Sequence, residues 1–312
     1  MTLTALQVKQ LNNMNAAAQR AGLGTLLSYG DPAGVVYFVD GNAGDDDNGG
    51  LSWGDAFQTL SVALAASHAN IAASSAGWAA RNRIYFKADQ SADAEGEDLV
   101  LLAQKTDIIG VGSTSNFTQS TLVGNHVPIS ATGIGVRFFN IRFKCPAAGG
   151  SMFTLNSTQR GIEFHDCTFD ATNSASATSA IIATDVWFLK IHNCNFVGPF
   201  VDSVINIGTG NAQGLEIVNN YIQGAADGIE IATDTISSPK HMLIENNTLV
   251  TGTICVNDIS DLAYVNRNNG YTGNAKGTTG FGGFQVNIQR SQDNRLTASN
   301  GNNIVVPAEG SI

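Results

Sequence analysis

The residues with chemistry to offer recur at regular intervals. Arg137, Glu163, Lys190 and Glu216 alternate in sign at steps of 26 or 27 positions. His165 and His192 each stand two residues beyond Glu163 and Lys190, and Cys167 and Cys194 two residues further on. Two histidines one repeat apart are half of a metal site, but a closed zinc site needs four ligands and no third is evident, so no metal is expected there. Paired carboxyls for glycoside cleavage must stand ~5–9.5 Å apart. Asp202 and Asp227, at equivalent places in successive repeats, come nearest, yet no Arg or Lys accompanies them. The other acids are scattered: Glu163, Glu216 and Glu245 on one strand type, Glu230 on another, Asp185 and Asp234 in turns. Asp45-Asp46-Asp47-Asn48-Gly49 offers oxygen donors of the kind calcium takes but lacks the spaced acids and distal Glu of an EF-hand; it reads as a solvated turn. No Ser-His-Asp set, Walker loop or GxGxxG after a strand occurs. The reading is therefore no catalytic residue, no cofactor and no metal.

The spacing of these residues comes from a repeat. Phe138-Phe139-Asn140-Ile141-Arg142-Phe143 matches Phe164–Phe169, Ile191–Phe196, Ile217–Ile222 and Ile244–Leu249, and a degenerate copy starts at Val265. A second strand signal lies between the copies: Phe153-Thr154-Leu155, Ile181-Ile182-Ala183, Ile205-Asn206-Ile207, Ile229-Glu230-Ile231 and Ile254-Cys255-Val256. A self-similar period of this size means stacked units sharing one core. Alternating strands separated by Gly, Asn and Asp, without a Leu consensus, predict a coil of parallel strands. Like residues then stack on like. Cys167 lies on Cys194 and Asn220 on Asn247, while Asn140, Asp166, Asn193, Asn219 and Asn246 line a turn, where their side chains can bond the backbone. The charged set becomes a surface ladder. The span 84–270 predicts roughly eight to ten turns at this period.

Composition agrees. The 312 residues include 34 Gly, 30 Asn and only 6 Pro, with 43% hydrophobic and 13% charged residues, which excludes a disordered chain. The formal net charge is −10, with 16 basic against 26 acidic residues. That argues against a sequence-independent grip on nucleic acid and against an anionic membrane surface. No apolar run is long enough for a bilayer. The N-terminus lacks a basic region followed by an apolar run, so no secretory signal is expected. Four cysteines without CxxC spacing predict free thiols in a chain made in a reducing cytoplasm.

Three regions follow: an N-terminal helical arm over 1–30, a coil with its N-terminal cap over 31–275, and a polar tail over 276–312. In the arm, Leu3, Leu6, Leu11 and Met14 recur at helical spacing, and Lys9 and Arg20 face no acid, leaving −12 for the rest. Such a helix is marginal alone and needs something to pack on, either its own domain or a partner. The candidate anchoring residues are Leu3, Leu6, Val8, Leu11, Met14, Arg20 and Leu23. Val35–Val39 predicts a strand and Asp40–Gly50 a turn. A helix is expected from the Ser52–Phe57 segment through Ala66, with strands at Arg83–Lys87 and Leu99–Ala103.

Tyr37-Phe38-Val39-Asp40-Gly41-Asn42, Asp45–Trp53 and Ala56-Phe57-Gln58-Thr59-Leu60, followed by the repeats, resemble the right-handed parallel β-helix group called pectate-lyase-like, over about residues 35–270. That resemblance implies an all-β, right-handed parallel β-helix solenoid with a capping helix. It implies little about activity, because one fold hosts many. Its enzymes use clustered Asp for calcium with an Arg or Lys base, a set not found here. The arm, Leu6–Asn15 through Leu23-Gly24-Thr25-Leu26, is similar to N-terminal arms of tailed-phage virion proteins, capsid decoration proteins in particular. The resemblance implies a structural, non-enzymatic virion protein on the capsid surface, made in the host cytoplasm. Its partners would be the major capsid protein and sister copies, as a homotrimer. The alternative is a tail fibre or tailspike that binds, and in some cases cleaves, a host glycan. A secreted polysaccharide lyase comes third.

Overall fold

A computed structural model describes residues 34–73, 81–88, 99, 105–112, 119–123, 134–146, 149–156, 160–208, 212–231, 241–258 and 263–272, with short backbone strands between 284 and 305. The chain forms a parallel β-solenoid of about five turns, fewer than the eight to ten expected from the span. The expected count carried the 24–27-residue period over the whole span, whereas among the described residues all three strands of a repeat are present from Arg137 onward. Three sheets run along the coil, of ten, nine and six strands, here called A, B and C. Every strand pairing is parallel except that of Arg295–Ala298 with Asn303–Val305.

Each regular repeat supplies one strand to each sheet, so the repeat carries three strands where the sequence signalled two. The six-residue template bends in its middle: Arg137–Phe139 belongs to sheet A and Ile141–Lys144 to sheet B. Asn140, Asp166, Asn193, Asn219 and Asn246 make the corner, with φ between 54° and 60°. That left-handed conformation is strained for most side chains, and Asn and Asp tolerate it best after Gly. The polar column in the sequence is thus a column of identical backbone corners.

Inside the coil, columns of apolar side chains stack from rung to rung. Phe138, Phe164, Ile191, Ile217, Ile244 and Val265 form one column, and Phe143, Phe169, Phe196, Ile222 and Leu249 another, all buried. Phe138 stacks on Phe164 at 5.2 Å and Phe169 on Phe196 at 4.5 Å, while Phe143 and Phe153 meet edge-on at 4.8 Å. Such ring pairs add ~0.5–1.5 kcal/mol beyond area burial. In sheet C the fifth copy differs from the expected register: the strand is Val256–Asp258, with Val256 opposite Ile229. The slip from Ile254–Val256 is two residues, so the same face stays inward. Counted from sheet B the corner keeps its length, since Leu249 to Val256 and Ile222 to Ile229 are each seven residues.

The N-terminal end is built differently. Strand β1 (Val36–Asp40) pairs with β2 (Asn82–Lys87), and β2 with β3 (Thr106–Gly110). The outer edge of β1 is occupied: Phe38 N–H donates to Gly50 O, Phe57 N–H to Phe38 O, and Asp40 N–H to Phe57 O. Helix α1 runs over Leu60–Ala73, starting and ending later than the sequence suggested. Asp46 Oδ1 accepts the amides of Gln58 and Thr59, and Thr59 Oγ1 in turn accepts the Val62 amide, so the entry to α1 is fixed by side chains. The helix buries Leu60, Ala63, Leu64 and Ile71. A buried polar link ties it to the sheet: Asn82 Nδ2 donates to Ser67 Oγ at 3.0 Å, and Ser67 and Thr106 share a hydroxyl bond of 2.7 Å. The arm over 1–30 and most of Leu99–Ala103 lie outside the described residues.

Candidate functional site

The outer face of sheet A gathers the charged residues singled out in the sequence. Strand residues alternate inward and outward, so two outward rows run side by side along the coil. The first row reads Val36, Arg83, Asp107, Arg137, Glu163, Lys190, Glu216, Leu243 and Tyr264. The second reads Phe38, Tyr85, Ile109, Phe139, His165, His192, Val218, Glu245 and Asn266. The expected four-residue ladder is therefore six charges long, bounded by an apolar residue at each end. Arg83 and Asp107 fall outside the sequence template because the 30-residue step from Asp107 to Arg137 exceeds the period. A signal was present: both open a charged–apolar–outward-apolar triplet, as the repeats do.

The ladder is tied rung to rung. Arg137 grips Asp107 with Nε and Nη2, both at 2.7 Å, and Arg81 Nη1 reaches the same carboxylate at 2.7 Å. Lys190 Nζ lies 3.5 Å from Glu216. His165 Nε2 turns back on Glu163 of its own strand at 2.8 Å, and His192 Nε2 lies 3.2 Å from Glu216 on the following rung. The hydrogen bond from His165 holds the Glu163 carboxyl below its ordinary range, helped by Arg137 and Lys190 and opposed by burial. The Asp107 carboxylate raises the Arg137 guanidinium. Burial, together with the neighbouring His165, lowers His192, against the pull of Glu216.

The second row is an aromatic stripe. Phe38 meets Trp53 edge-on at 5.0 Å and stacks with Tyr85 at 5.8 Å. Phe139 stacks with His165 at 5.0 Å, and His165 meets His192 at 5.3 Å. The Arg160 guanidinium sits 4.0 Å from the centre of the Trp187 ring at the margin of the face. Beside it, Phe188 is 49% exposed and has φ 60° where the matching corners are Gly135, Gly161 and Gly214. Trp53, Val111, Ile134 and Leu51 are also exposed on or beside this face.

The other sequence candidates are placed as follows. Among the described residues no group of three or more His, Cys, Asp or Glu side chains is arranged to hold a metal ion, and the stacked histidines pair with glutamates instead. In the acidic turn Asp45 Oδ1 accepts the Asp47 amide and Asp46 serves the entry to α1. Asp40 accepts from Lys87 and from the amides of Asn42 and Ala43, and these hold it low despite burial. Asp227 accepts from the Thr253 hydroxyl and the Ile254 amide, and Glu230 from the Ser203 hydroxyl; Asp202 is exposed. Asp234 and the arm residues Leu3, Leu6, Val8, Leu11, Met14, Arg20 and Leu23 lie outside the described residues.

All four cysteines are buried free thiols. Cys167 and Cys194 stack as expected, but in a column the sequence reading had divided. Ile141, Cys167, Cys194, Asn220, Asn247 and Asn268 each follow a corner residue and share one inward position. Asn220, Asn247 and Asn268 donate Nδ2–H to Ile191 O, Ile217 O and Ile244 O. The thiols of Cys167 and Cys194 point the same way, at Phe138 O and Phe164 O. Burial pushes the Cys194 thiol well above its ordinary range.

Fold and face together define a parallel β-solenoid whose outward chemistry is concentrated on one sheet. No protein-family model, curated protein or solved structure matches the chain.

Proposed function

We propose that this chain is a structural protein of a bacteriophage virion, a decoration or cement protein whose right-handed, pectate-lyase-like coil sits on the capsid and is anchored by the arm over 1–30. One observation supports a structural role above others: six carboxylates of the coil bind backbone amides, hydroxyls, or a basic side chain of their own or an adjacent rung. Asp107, Asp170, Glu163, Glu216, Asp227 and Glu230 all do so. Such bonds stiffen a column. The phage assignment rests on the resemblance of the arm, and the helix α1 serves in this reading as the cap of the first turn.

The test is a pair of proteins, the full chain and one lacking residues 1–30, offered to purified virions during assembly. The full chain should incorporate and antibody should label the head; the truncated chain should melt at nearly the same temperature and fail to incorporate. Label confined to the tail would favour a fibre or spike, for which the exposed Phe188 beside Trp187 is the specific observation. Full occupancy by the truncated chain would move the anchor to the coil.

A further inference from the structure

The outer face of sheet A is complementary to itself. Read from β1 toward the C-terminus, the first eight rungs of its first row run apolar, +, −, +, −, +, −, apolar: Val36, Arg83, Asp107, Arg137, Glu163, Lys190, Glu216, Leu243, with Tyr264 beyond them. Read backwards, every sign is reversed. We propose that two copies of this chain associate face to face and antiparallel through sheet A, about a twofold axis that lies in the plane of contact between the Arg137 and Glu163 rungs.

The geometry follows from symmetry. A twofold axis along the strand direction reverses the order of rungs but keeps each row opposite its own counterpart. Arg137 then faces Glu163 of the second copy and Arg83 faces Glu216, while Asp107, buried beneath Arg81 and Arg137, lies under the Lys190 contact. Each contact occurs twice, as an isologous interface requires. Val36 faces Leu243 at both ends. In the stripe, Phe139 faces His165, Ile109 faces His192, and Tyr85 faces Val218. Phe38 alone meets a charge, Glu245, which Arg267 Nη2 already holds at 2.5 Å. A parallel pair that sets the two charged rows opposite one another in register would oppose like with like on all six charged rungs, so the face selects against it. The alternation also explains why an even number of charged rungs matters: only an even alternating row is its own complement.

The stripe supplies the apolar contact. Phe38, Tyr85, Ile109, Phe139, His165 and His192 are each partly exposed, and contact would cover them. The ladder supplies register and orientation, which is what interfacial charges do best. Eight rungs at ~4.8 Å make a contact about 34 Å long. It is narrow, at the low end of specific interface areas, so the expected affinity is micromolar. Surface charge pairing is screened by salt, so the dimer should weaken as ionic strength rises. This inference does not depend on the virion reading, and it is an alternative to the threefold association that the resemblance implies.

Sedimentation equilibrium on the full chain, from a few to a few hundred micromolar, tests it. The wild type should pass from monomer to dimer. Glu163→Arg and Arg137→Glu should each remain monomeric, because each sets like charges opposite one another at both central contacts. An equimolar mixture of the two variants should recover the dimer. In the mixed pair one copy carries two positive central rungs and the other two negative ones, so opposite charges meet at both central contacts. Circular dichroism confirms folding. Should Arg137→Glu fail to fold for want of its Asp107 bond, Arg83→Glu mixed with Glu216→Lys makes the same test at the outer rungs. A wild type that stays monomeric throughout, a trimer, a dimer indifferent to Glu163→Arg, or variant mixtures that stay monomeric would each overturn the proposal.

Discussion

The two halves of the coil solve one packing problem with different chemistry. From Phe138 to Phe196 the interior is filled by stacked and edge-on phenylalanine rings, and the inward position after each corner is Ile141, Cys167 or Cys194. From Asn220 onward the core columns turn to Ile, Leu and Val, and the same corner position becomes Asn. Asn247 Oδ1 accepts both the amide and the Nδ2–H of Asn220, while Asn268 Oδ1 does the same for Asn247. Rings stabilise by area and shape. The amide ladder stabilises by meeting buried backbone groups that would otherwise lack partners. The lesson is that a repeat keeps its geometry, and either kind of interaction can fill it.

The largest expected effect breaks the aromatic half. Phe164→Ala removes a fully buried ring that touches Phe138, Phe143, Phe153 and Phe169. It should destabilise by about 3–5 kcal/mol, read as a lower urea midpoint at unchanged slope. A loss below about 1 kcal/mol would show that the ring cluster is not a principal source of stability.

Asn247→Ala breaks the other half. It leaves the Asn220 amide without its acceptor in a site with no exposure, at about 1–3 kcal/mol. Exchange sharpens the contrast. Cys194→Asn should be tolerated within about 1 kcal/mol, because Phe164 O already receives the thiol and Asn220 Oδ1 already receives the Cys194 amide. Asn247→Cys should cost nearly as much as Asn247→Ala, since a thiol cannot accept and donate in the amide's pattern. Equal effects of the two exchanges, measured by the same urea titration, would mean that the column does not distinguish them.

The smallest effect is the response to acid, and it belongs to the outer faces. His192 has a lowered pKa in the fold, so its contribution is present above about 6.5, the ordinary histidine value, and declines as pH falls below that. Asp40, Glu163 and Asp170 are also held low, the last by Thr172 and Arg142 against its own burial. Their contribution is complete above ordinary carboxylate values and is lost as pH falls further. The melting temperature should therefore be flat above neutrality, sag slightly below about pH 6.5 and drop more steeply below about pH 4. Glu163→Gln should flatten part of the lower limb.

Much of this was legible in the residues. The period, the inward columns and the charged row follow from the alternation of Phe138-Phe139, Phe164-His165 and Ile191-His192, because a parallel coil stacks equivalent positions. The third strand was hidden because Asn140 and its equivalents bend the chain within an unbroken strand-like pattern; only backbone φ separates the two strands. Arg83 and Asp107 were hidden by unequal loop lengths, which a fixed period does not tolerate but a sheet does. The column shared by Cys194 and Asn220 was hidden because chemical type, rather than position, invites grouping. The anchoring role assigned to Leu3, Leu6, Val8, Leu11, Met14, Arg20 and Leu23 concerns residues outside those the structure describes.

The occupied edge of β1 bears on how such a chain is made. The segment from Gly50 to Phe57 already uses the outward amides and carbonyls of that strand, so the first rung can recruit new backbone on one side alone. That side faces the part of the chain synthesised next. Each further repeat can dock on a finished platform as it leaves the ribosome, contacting only its immediate predecessor. Growth then has a direction, and a half-made chain exposes a single advancing edge to its neighbours on the polysome.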